Sequence, residues 1–110
     1  MAQKHRFHLK VISNNGKVFL RLRGDLKGSS ASQMEHALER LRDVAKPSRL
    51  TLDLTGIRDL DYFGVVHFAK AIRGQRYRFS EISLTGLKET TESLFKRFGL
   101  ENGKVTHVEL

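Results

Sequence analysis

Asp53 and Asp61 are the carboxylates best placed for chemistry, because they flank a strand-to-helix junction. Open α/β domains put their working surface at such junctions. Paired carboxylates would suit acid–base catalysis. However, Asp53 falls on a strand and Asp61 in a loop, which gives no reason to expect the close pair that such catalysis uses. The five histidines are His5, His8, His36, His67 and His107. None has the i,i+4 or His-Glu-x-x-His spacing of a helical zinc site. There is no cysteine, so thiol catalysis, disulfides and zinc-thiolate sites are excluded. No Gly-x-Gly-x-x-Gly or phosphate-loop pattern occurs, and no serine sits in a nucleophile elbow. The expectation is a chain that is not an enzyme and holds no metal or cofactor.

The informative residues are Asp61-Tyr62-Phe63-Gly64, at the head of an apolar helix. Asp61 suits the N-cap, where a carboxylate accepts free backbone donors. Tyr62 and Phe63 suit an apolar anchor for a partner, since aromatics bury much area at little entropy cost. At helical spacing the two rings are expected to diverge, one inward and one outward. Gly64 would allow close approach to a neighbouring backbone. Asp25 and Lys27 are expected on an adjacent loop.

The elements that must position these residues follow from periodicity. Phe7, Leu9 and Val11 alternate with polar neighbours, then Val18, Leu20 and Leu22 do the same. Asn14-Asn15-Gly16 lies between them, so the two strands form a hairpin. Gly24 to Ser29 reads as a loop. Ser30 and Gln33 fit a capping box. Met34, Ala37, Leu38, Leu41 and Ala45 recur at helical spacing, opposite Glu35, Glu39, Arg40, Arg42 and Asp43, until Pro47. Leu50, Leu52 and Leu54 mark a third strand, with a loop from Thr55 to Asp61. A second helix carries Val65, Phe68, Ala69 and Ile72, and Gly74 marks its end. A fourth strand spans Glu81 to Thr85. A third helix spans about Lys88 to Phe98, closed by Gly99 and Leu100. A fifth strand is expected from Lys104 to Leu110.

This order, β-β-α-β-α-β-α-β, predicts an α/β fold with a mixed sheet of about five strands. Right-handed crossovers between neighbouring strands put the helices mainly on one face. The alternation in strands three and four agrees, because strands covered on both faces would be apolar throughout. The other face should be open and polar, bearing Thr51, Asp53, Ser83 and Thr85. The loops after strands two, three and four should share one rim with the head of helix two.

With 110 residues, a single domain over 1–110 is expected. Hydrophobic residues make up 39% and charged residues 29%, as in an ordinary globular protein. No apolar run reaches membrane-spanning length. MAQKHRFHLK lacks the apolar core of a signal peptide, and its Met reads as a native start. A cytoplasmic location is expected, consistent with the missing cysteine. The net charge of +8 suits an acidic partner, an anionic membrane or nucleic acid. The basic residues are spread over the whole chain without a run of five, so nucleic acid is not the expected partner. Arg73, Arg76, Tyr77, Arg78 and Phe79 mix basic and aromatic residues as single-strand binders do. A helix end and a strand lead-in is the favoured reading of them.

These pieces together resemble a STAS domain, the fold of anti-sigma-factor antagonists and of sulfate-transporter tails. The matching segments are RGDLK (23–27), MEHALERL (34–41), LTLDLTGI (50–57), DYFG (61–64), VVHFAKAI (65–72) and SLFKRFGLENGKVTHVEL (93–110). The resemblance covers nearly the whole chain. It implies a non-catalytic module that binds a regulatory protein, an anti-sigma or kinase-like partner. The implied contacts are Asp25, Lys27, Asp61, Tyr62, Phe63 and Gly64. In partner-switching members this turn reads Asp-Ser-Ser-Gly or Asp-Ser-Thr-Gly, and the second hydroxyl is phosphorylated. Asp61 and Gly64 match that pattern, but Tyr62 and Phe63 do not. Phe63 has no hydroxyl, so the usual switch is expected to be absent. Tyr62 is a poor substitute for a short side chain. Some similar domains are accessory subunits of lipid-transport ATP-binding complexes, which makes an ATPase subunit the alternative partner. A homodimer is compatible with either reading.

Overall fold

The computed structural model describes residues 6–41 and 47–110. The expectations for His5, Arg42, Asp43 and Ala45 lie outside the described residues. Strands β1 (His8–Asn14) and β2 (Lys17–Leu26) form the expected antiparallel hairpin. Asn15 and Gly16 make its turn with φ of 51° and 81°, the left-handed backbone that a two-residue hairpin requires. A short 3-10 turn, Gly28–Ser30, leads into α1 (Ala31–Arg40). Strand β3 (Arg49–Leu60) precedes α2 (Tyr62–Gln75), and β4 (Glu81–Thr85) precedes α3 (Glu89–Lys96). The two-residue β5 (Gly103–Lys104) completes a sheet of order β1-β2-β3-β4-β5. Strands β2, β3 and β4 are parallel, and both outer pairs are antiparallel.

The helices cover one face. Leu20 and Leu22 of β2, Leu50 and Leu52 of β3, and Ile82 and Leu84 of β4 share one core with Met34, Leu38, Val65, Phe68, Ile72 and Phe95. The expected stripe of α2, Val65, Phe68, Ala69 and Ile72, is fully buried. Phe68 meets Phe95 edge to face, with ring centroids 5.5 Å apart, which ties α3 to α2. Such a pair adds about 0.5–1.5 kcal/mol beyond its area.

Six expectations are corrected. Strand β2 continues through Gly24, Asp25 and Leu26, and β3 continues past Leu54 to Leu60, where loops were expected. The extension is a paired ladder, Arg23 to Gly56 and Leu26 to Leu60, with two register shifts. Those shifts break the alternation, so the extension cannot be read from either strand alone. Ser30 does start α1, but its hydroxyl makes no cap for that helix. It donates to the Asp25 carbonyl at 2.9 Å and accepts from the Lys27 amide at 3.2 Å. Gly74 lies inside α2, which ends one residue later. Finally, α3 is no crossover. Gly99 (φ 76°) closes it as expected, with the Leu100 amide on the Phe95 carbonyl at 3.1 Å. Asn102 then bonds both backbone groups of Leu87, at 2.9 and 3.1 Å, and turns the chain antiparallel to β4. The fifth strand, expected from Lys104 to Leu110, is only Gly103–Lys104; the Val105 amide still bonds the Ile82 carbonyl at 2.7 Å, and further on the Glu109 amide bonds the Phe98 carbonyl at 2.9 Å.

Candidate functional site

The rim at the carboxyl ends of β2 and β3 is built around Asp61. Asp61 is the N-cap of α2, with extended backbone, and its Oδ1 accepts from the Gly64 amide at 2.7 Å. The same oxygen accepts from the Gly28 amide at 3.1 Å, so one carboxylate joins the head of α2 to the turn after β2. The Asp61 amide donates to the Leu26 carbonyl at 3.2 Å. Gly64 completes the junction. A Cβ there would lie 2.6 Å from the Leu26 carbonyl carbon and 2.8 Å from the Lys27 Cα. No side chain fits such a gap, so glycine is what lets α2 sit against the end of β2.

This junction leaves Tyr62 and Phe63 outside the core. Both are exposed, at 51% and 65%, and neither turns inward as expected. They occupy the first turn of α2, in which Gly64 and Val65 are the buried residues. The two rings meet edge to face with centroids 5.8 Å apart, and Tyr62 also rests 5.9 Å from the Phe98 ring. The Phe63 Cβ stands 3.2 Å from where a Gly28 Cβ would be, so a larger residue at 28 would crowd it.

Lys27 follows the end of β2, and Asp25 lies near that end, in register with Asp59. Lys27 pairs with Asp59 at 3.4 Å across the strand ends. The amide of Leu60 and then Lys27 hold the Asp59 carboxyl below its usual range. This pair is exposed and contributes little to stability. Asp25 is half buried, and its Oδ1 is out of solvent without a hydrogen-bond partner. Sequence reasoning named Asp25, Lys27, Asp61, Tyr62, Phe63 and Gly64, and all six lie on this rim. It missed Gly28, Asp59 and Phe98. The Gly-Ser-Ser run after Lys27 was the one local signal for a tight approach.

Asp53 does not join this group. Burial pushes its pKa up, but the Thr55 hydroxyl and amide and the Arg21 guanidinium outweigh that and hold it below the usual carboxylate range. Thr55 donates to it through its hydroxyl at 2.6 Å and its amide at 3.0 Å, and Arg21 lies 3.4 Å away. Asp53 and Asp61 are thus each occupied by separate donors. Among the described residues, no three of His, Cys, Asp or Glu form a cluster able to hold a metal. Three of the five residues in the basic-aromatic run at the end of α2 have structural roles, while Arg73 and Tyr77 are exposed. Arg76 donates to the Thr106 carbonyl and Arg78 to the Leu41 carbonyl, both at 2.7 Å, and Phe79 is in the core.

A family model described as Mlab, STAS domain matches residues 11–108. The chain belongs to this STAS family. Solved STAS-like structures agree with the fold. RsbS of Moorella thermoacetica superposes with a TM-score of 0.68 at 18% identity, covering 84% of this chain and 79% of that one. The anti-sigma-factor antagonist SpoIIAA in its unphosphorylated form gives 0.66 at 18% identity, covering 86% and 82%. A STAS-domain antagonist from Rhodobacter sphaeroides gives 0.63 at 17% identity, covering 79% and 94%. No curated protein matches the sequence significantly. Among the described residues, no helix of this STAS chain is long and apolar enough to cross a membrane.

Proposed function

We propose that this STAS chain is a non-catalytic interaction module that docks a regulatory protein through the head of α2. The partner is an anti-sigma or kinase-like protein, met in the cytoplasm by one domain spanning residues 1–110. The observation that carries this reading is the exposed edge-to-face pair of Tyr62 and Phe63. Two adjacent rings on a braced helix end offer a large contact area with little left to order on binding. Asp61 and Gly64 set the angle of that end, and Asp25 and Lys27 supply the polar rim. A phosphate at position 63 would require a hydroxyl that Phe63 lacks, so binding is not switched there.

The lack of a switch favours a second reading, an accessory subunit of a lipid-transport ATP-binding complex. A permanently displayed aromatic pair suits a constitutive subunit, and the +8 charge suits an acidic ATPase surface. The test is affinity capture from host lysate with nuclease, identification by mass spectrometry, and repetition with Phe63→Glu. An anti-sigma or kinase-like protein lost in the variant supports the first reading. An ATPase subunit lost in the variant supports the second. A partner retained by the folded variant removes the head of α2 from both.

A further inference from the structure

The open face of the sheet gathers cations that the chain scatters. Register places Lys10 beside Arg21, Arg21 beside Asp53, and Lys17 beside Arg49 and Glu81. Arg23 and Lys104 point to the same side, so six cations share the face with two carboxylates. Arg21 is matched by Asp53, while Arg49 and Lys104 share Glu81. Lys10, Lys17 and Arg23 make no ion pair among the described residues, and all three are exposed. The helices lie on the opposite face and leave this one uncovered.

One row crosses the middle of this face: Ile12, Phe19, Thr51, Ser83 and Lys104. Phe19 is half buried, and the Arg21 guanidinium lies 5.7 Å from its ring centre. The Thr51 and Ser83 hydroxyls are used by no hydrogen bond within the described residues. Arg23 stands beside Gly56, where a Cβ would come 2.8 Å from the Arg23 Cγ. The face therefore combines free cations, an aromatic–guanidinium pair and spare hydroxyls.

We propose that this open face binds single-stranded nucleic acid. The free cations would track phosphates, and the Phe19–Arg21 platform would take a base by stacking, which is sequence-tolerant because every base has a π-face. The two hydroxyls would meet sugar or base edges. A bilayer is the poorer occupant, because Ile12 and the half-buried Phe19 are the two apolar side chains on a face otherwise made of cations, carboxylates and hydroxyls among the described residues. The face is separate from the rim at the head of α2.

The experiment is fluorescence anisotropy of the full chain with labelled oligo(U) and oligo(dT) of about 12 nucleotides, over a salt series. Three free cations predict a slope of about −2 in log K against log salt, at about −0.7 per phosphate on a single strand. Lys10→Glu with Lys17→Glu, both exposed, should weaken binding by tenfold or more and flatten the slope. Phe19→Leu keeps the side chain apolar and should weaken binding about tenfold at an unchanged slope. Circular dichroism confirms folding of both variants. Absence of binding at about 50 mM salt overturns the proposal. So does binding that ignores either variant. Adhesion to anionic phosphatidylglycerol vesicles without oligonucleotide binding overturns it in favour of a membrane.

Discussion

The carboxylate of Asp61 reaches the backbone amide of Gly28 at 3.1 Å, across 33 residues of chain. The same oxygen caps α2 through Gly64. One side chain thus sets both the start of a helix and the place of the turn beside it. Asp61→Ala should cost about 1–2 kcal/mol, because it removes a cap and leaves a second amide unmatched. Urea unfolding measures this. Asp61→Asn keeps an acceptor oxygen and should cost less. Equal losses in both variants would show that charge, not the hydrogen-bond geometry, is what matters.

Gly64 is the tightest point of the junction. Gly64→Ala places a methyl against the Leu26 and Lys27 backbone, which cannot move without shifting β2. The expected loss is about 2–3 kcal/mol, at the upper end for overpacking. Thermal melting reads it directly. A variant as stable as the parent would mean that α2 can slide along the sheet end.

Phe63 should separate stability from binding. Its ring is largely exposed, so Phe63→Ala should change stability by less than about 0.5 kcal/mol. Its loss should weaken partner binding by about 2 kcal/mol, the level of an interface hot spot. Titration calorimetry with the captured partner checks the second number. Tyr62→Ala should be more costly to folding than Phe63→Ala, since Tyr62 also rests on Phe98.

Asp53 gives a pH signature. Its pKa is lowered in the fold, so its contribution is complete above the unfolded value of about 3.9. That contribution is lost as pH falls through the lower folded value. Asp53→Asn should therefore reduce stability at pH 7 and flatten the acid side of the stability curve below about pH 4. Urea midpoints between pH 2.5 and 7 test this. Parallel acid limbs in parent and variant would assign the acid sensitivity elsewhere.

Local pattern was enough for much of this protein. The hairpin turn needs two left-handed residues and Asn15-Gly16 supplies them. Strand β4 and the buried stripe of α2 each show their own period. Asp61 could be named as a cap because capping involves only the next three residues. The STAS resemblance and the six rim residues followed from the order of such local pieces. Tertiary structure alone decided the rest, because it depends on partners distant in sequence. The extension of β3 exists only because β2 pairs with it through two register shifts. Tyr62 and Phe63 both stay exposed, while Gly64 and Val65 turn α2 onto the end of β2 and the core. Lys10, Lys17 and Arg23 read as polar sides of two strands, and strand pairing alone sets them beside Arg21, Arg49 and Asp53 as one surface.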